Sequence, residues 1–157
     1  MTLANVVDFL HLLATVTWIG GMLFMKLVLM PGMAAIDPPQ RGRLMGAVAK
    51  RFTIVAWSST AVLLVTGFMK TPSQFLLDGS TTYGTLLAVK HALIAAMIVV
   101  GVVITFFVAP RLRALTPAPG QAPSPGLAAA AKNLDALSAI NTILGLAVLA
   151  LVVALRP

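Results

Sequence analysis

Asn5-Val-Val-Asp8-Phe-Leu-His11-Leu-Leu-Ala-Thr15-Val-Thr-Trp18-Ile-Gly20-Gly21-Met22-Leu-Phe-Met25-Lys-Leu-Val-Leu-Met30 is long and apolar enough to cross the hydrocarbon core of a bilayer, which takes about 20 residues of helix. Three more runs of this kind follow, so the expected spans are residues 5–30, 52–69, 85–109 and 136–155. Helices are the form these runs must take, because an open strand in lipid leaves its backbone N–H and C=O groups without partners. The reading is an all-α integral membrane protein, a four-helix up-down bundle forming a single transmembrane domain over residues 1–157. The first run has no basic segment before it and carries Asp8, so it reads as a membrane helix and insertion signal rather than a cleaved leader.

Composition supports the same class. The chain is 59% hydrophobic and 10% charged, where soluble domains carry roughly 25% charged residues. The formal charge of +7 could point to nucleic acid, but the basic residues gather between apolar runs. Arg41, Arg43, Lys50 and Arg51 lie in the first connection, and Arg111, Arg113 and Lys132 in the third. That distribution is the positive-inside pattern. It excludes nucleic acid as partner, puts the lipid bilayer in its place, and predicts a multi-pass protein with both termini outside. Pro31 and Pro110 are expected to close the first and third helices, Asp37-Pro38-Pro39 to make a turn, and the Pro/Gly/Ala-rich stretch about 114–131 to be a flexible linker. No internal repeat stands out. With no cysteine, thiolate ligands and thiol nucleophiles are excluded. No nucleophile–base pair or phosphate-binding glycine loop supports a hydrolase or an ATPase.

An ionisable side chain inside a membrane span is costly and marks a functional site. His11 and His91 are the only two histidines, nineteen residues before Met30 and eighteen before Ala109. At 1.5 Å per residue, both lie roughly 27–29 Å from the same side of the membrane, on helices that run in the same direction. Matched depth makes them candidate ligands of one metal centre. Steps of three and four along the first helix put Thr15, Trp18, Met22 and Met25 on the His11 stripe, and Lys90 adjoins His91. Two imidazoles without thiolates suit a b-type haem. In that reading Thr15 orients an imidazole, Trp18 packs on the macrocycle and Lys90 meets a propionate. The protein would then serve electron transfer or the oxidation of a small membrane-soluble molecule, with a redox partner or a second copy as possible associates. Alternatively His11, His91, Met22 and Met25 hold copper in transit, since thioethers suit Cu(I). A third reading is an accessory membrane subunit that binds no metal and whose histidines only pack. Asn141 is expected to make an interhelical hydrogen bond near the start of the fourth helix.

The segment from Phe9 through His11, Trp18 and Gly20-Gly21 to Phe24, with Lys50-Arg51-Phe52-Thr53, Thr66-Gly67, Tyr83-Gly84 to Lys90, and Ala109-Pro110-Arg111-Leu112, resembles the copper-resistance protein D family. That resemblance implies copper passage or uptake across a bacterial inner membrane. His11, Trp18 and Lys90 are also similar to residues of the four-helix membrane protoporphyrinogen oxidases, a resemblance that implies b-type haem and a haem-dependent oxidoreductase.

Overall fold

The computed structural model describes residues 2–71, 81–117 and 124–154. Among these residues, four helices are long and apolar enough to cross a membrane: α1, Leu3–Ala35; α2, Pro38–Lys70; α3, Thr82–Leu115; and α4, Leu127–Ala154. No strand occurs among the described residues. The chain divides into two compact units, Met1–Gly84 and Thr85–Pro157.

Each helix outruns its apolar stretch, and the reasons are local. Pro31 and Pro110 do not end α1 and α3. A proline inside a helix lacks an N–H, and its ring meets the carbonyl four residues back. Here the backbone widens into π turns just ahead, at Met25–Leu29 and Ile104–Val108. The residue before each proline then bonds five residues back, Met30 N–H to the Met25 carbonyl and Ala109 N–H to the Ile104 carbonyl. The helix passes the proline without breaking.

The first connection is correspondingly short. Ile36 and Asp37 are extended, and Pro38 opens α2 at a position where a missing N–H costs nothing. Arg41 ties this corner by donating to the carbonyls of Ala34 (3.5 Å) and Ile36 (2.9 Å). Arg43, Lys50 and Arg51 therefore lie on the early turns of α2 rather than in a loop.

The third connection also shrinks. Thr116 ends α3, and Ser124 Oγ donates to the Leu115 carbonyl at 2.9 Å. A Cβ added at Gly126 would lie 3.4 Å from Leu115 Cδ1, so the start of α4 is seated on the end of α3. Residues 127–131 of the expected linker are helical, as an alanine run favours. The middle of that linker, residues 118–123, and most of the second connection, residues 72–80, lie outside the described residues. In this second unit α4 packs on the π turn and the final turns of α3. Asn141, expected close to the start of α4, is fourteen residues into it and buried with Thr142 and Gly145.

In the first unit α1 and α2 form an antiparallel hairpin. Asp8 meets Lys70, His11 meets Thr66, and Gly21 meets Phe52. Phe52, Ser59 and Thr66 are seven residues apart, so one stripe of α2 faces α1 in the heptad manner of membrane helix pairs. The facing stripe of α1 buries Val7, Ala14, Trp18 and Met22. Phe9, Leu12, Leu13 and Val16 are exposed, as lipid-facing residues of a spanning helix should be. Gly21 permits this approach, since a Cβ there would lie 2.7 Å from the Phe52 ring, while Gly20 has nothing within 4 Å.

Candidate metal site in the first hairpin

His11 sits in the third turn of α1, half-buried, with its ring turned to α2. Its Nδ1 is 2.7 Å from Thr66 Oγ1. Thr66 is 5% exposed, and its hydroxyl donates its single proton to the Val62 carbonyl at 2.6 Å. Toward His11 the hydroxyl oxygen can then only accept. With the hydroxyl proton on the Val62 carbonyl, Nδ1 carries the ring hydrogen and donates it to Thr66. In the neutral imidazole that tautomer places the lone pair on Nε2, the nitrogen that could then ligate a metal. Metal-binding histidines are commonly fixed in this way, by a partner on the nitrogen that does not bind the metal.

Thr15 was expected to orient the imidazole. Its hydroxyl instead donates to the main-chain carbonyl of His11 at 2.7 Å, the usual back-bond of a helical threonine. Orientation of the ring falls to Thr66. Beside it, a Cβ added at Gly67 would lie 3.6 Å from His11 Cε1, so that edge of the ring is bordered by a residue with no side chain.

Further along the same face of α1, Trp18 and Met22 are buried. Met25 is half-buried at the start of the π turn. In the other direction the stripe reaches Asp8, whose Oδ1 is 2.6 Å from Lys70 Nζ. Lys70 lies one turn beyond Thr66 on α2, so the Asp8–Lys70 and His11–Thr66 contacts are adjacent rungs between the helices.

His91 belongs to the second unit, half-buried on α3 next to half-buried Lys90. The main chain of Leu87, one turn back in the same helix, is beside its ring, whereas the His11 ring meets the other helix of its hairpin. Among the described residues, no three of His, Cys, Asp and Glu gather as a metal-ligand group.

Thr66 and the Asp8–Lys70 pair are the residues that sequence reading passed over as parts of the site. Signals for both were present: a hydroxyl in the middle of an apolar run, and a carboxylate three residues ahead of a membrane histidine. Only the pairing of α1 with α2 shows that they meet His11 or its neighbour.

An all-α, multi-pass membrane protein with a histidine fixed inside its first hairpin is the class these observations define. The family model for copper resistance protein D matches residues 46–155, and the chain belongs to that family. The matched stretch takes in Thr66, Lys70, Lys90 and His91 and begins after His11. No curated protein and no solved structure matches the chain.

Proposed function

We propose that this protein admits copper across a bacterial inner membrane, with His11 Nε2 as its first nitrogen ligand and Met22 and Met25 as soft ligands on the same stripe. The observation that carries this reading is the His11–Thr66 pair. An imidazole held in one tautomer by a buried hydroxyl, within a membrane-spanning hairpin, is prepared to ligate a metal. Family membership supports copper as the metal. It favours copper over b-type haem, the reverse of the order suggested by histidine spacing alone. His91 with Lys90 would serve as a second station in the other unit, and both termini would face outward by the positive-inside rule.

The test is total copper in cells expressing the wild-type chain, the His11→Ala variant or the Met22→Leu variant at matched membrane abundance. Wild-type expression should raise cellular copper, His11→Ala should abolish the rise and Met22→Leu should reduce it. No rise with the wild type, or an equal rise with His11→Ala, overturns the reading. A reddish purified protein with a Soret band lost in both His11→Ala and His91→Ala would restore haem in its place.

A further inference from the structure

The Asp8–Lys70 contact lies one helical turn from His11 and has no part in the reading above. Asp8 and His11 are three residues apart on α1, and both reach toward α2. Side chains at this spacing have Cβ atoms about 5–6 Å apart on one face. A carboxylate and a histidine three apart on one helix can share an ion, as in the di-iron four-helix bundles. The carboxylate here already holds a cation, the Lys70 ammonium, at 2.6 Å.

We propose that Asp8 and His11 form a two-donor site for divalent copper, with the Lys70 ammonium as an internal competitor that the arriving ion displaces. The choice of ion rests on the copper reading above; the geometry does not. One carboxylate oxygen and one imidazole nitrogen are borderline-to-hard donors, suited to Cu(II) rather than to Cu(I), which the thioethers of Met22 and Met25 suit. Displacement is easy because the pair is exposed, with 42% of the Lys70 side chain and 62% of the Asp8 side chain open, and exposed pairs hold weakly. Lys70 then has two effects: it keeps the carboxylate from attracting other cations and repels a metal until the metal takes its place.

The partners of the ion pair separate this role from a structural one. The experiment is Cu(II) titration of the full-length protein in nanodiscs, by calorimetry and by electron paramagnetic resonance, for wild type, Asp8→Asn and Lys70→Gln. Asp8→Asn should weaken Cu(II) binding by about tenfold or more, as metal sites do when an oriented group is lost. Lys70→Gln should tighten it by about threefold, the scale on which a weak exposed ion pair competes. If the contact only ties α1 to α2, both substitutions break the same tie and shift binding in the same direction. That result, or no shift in either variant, overturns the proposal. Because the readout is binding, it is independent of transport. Opposite shifts in a protein that leaves cellular copper unchanged would keep the site and refute the transport reading. Transport without the opposite shifts would do the reverse.

Discussion

Thr66→Val removes one oxygen and keeps the shape of the side chain, so it isolates the hydrogen bond to His11. Two bonds are lost. The Thr66 hydroxyl no longer donates to the Val62 carbonyl, which still accepts the main-chain N–H within the helix. His11 Nδ1–H loses its acceptor. A buried donor left without a partner costs about 1–3 kcal/mol, but interhelical hydrogen bonds in membrane proteins average about 0.6 kcal/mol. His11 is half-buried and can recover water, so the smaller figure governs: a stability loss of about 0.5–1 kcal/mol is expected. Metal binding should suffer more, because removing the partner that orients a ligating histidine costs about 10–100-fold in affinity. The assays are unfolding in mixed detergent micelles, Cu titration, and 15N NMR of histidine-labelled protein. Wild-type His11 should show the Nδ1–H tautomer, and Thr66→Val should show a mixture. Thr66→Ser restores an oxygen at this position and should recover both tautomer and affinity. The reasoning is refuted if wild-type His11 carries its hydrogen on Nε2, or if Thr66→Val binds copper like the wild type while His11→Ala does not.

Two further outcomes follow from the hairpin and its charges. Gly21→Ala places a methyl 2.7 Å from Phe52 Cε2 and should destabilise the α1–α2 pair by about 1–3 kcal/mol, the range for overpacking. Gly20→Ala, with open space around it, should be neutral or stabilising by up to about 1 kcal/mol; comparing the two in the unfolding assay checks that Gly21 and not Gly20 marks the close approach. The chain has no cysteine, so single-cysteine variants need no prior background substitution. With an impermeant maleimide on intact cells, Thr2→Cys and Thr81→Cys should label and Arg43→Cys should not; the opposite pattern would invert the orientation assigned from the basic residues.

The spans were legible because apolarity over about 20 residues is a strong signal. Helix ends were not, because lipid thickness fixes where apolar residues stop, and a helix can continue into the polar zone. Pro31 and Pro110 show the difference. Each marks the end of an apolar run, yet each helix continues past it through a π turn. The Ala128–Ala131 stretch is a similar case: it reads as linker beside Lys132 and Asp135, but alanine needs no apolar partner to be helical. Within the candidate site, His11 and the α1 stripe followed from helical spacing, and Trp18 and Met22 are indeed buried. The partner of the imidazole did not follow. Thr15, one turn away in sequence, spends its proton on its own helix, while Thr66 comes from the pairing of two helices, which no single-helix pattern contains.

The order of groups along the α1 stripe bears on what the hairpin can carry. Its end near the N-terminus holds an exposed carboxylate, Asp8. A turn further is a half-buried imidazole, His11, and three turns beyond that is the buried thioether of Met22. Donor softness and burial rise together, from oxygen to nitrogen to sulfur. The carboxylate and imidazole suit Cu(II) and the buried thioether suits Cu(I), so the oxygen end is the one that best replaces the water of a hydrated ion and the sulfur end the one that best holds an ion in a dry site. The reverse order would ask a hydrated cation to enter a dry thioether site before any charged or nitrogen donor had met it. A haem would make no use of such a gradient, since its iron takes axial ligands at a single depth. The sequence of donors along one helix face is therefore a second reason, independent of family membership, to read this hairpin as a route for an ion rather than as one wall of a cofactor pocket.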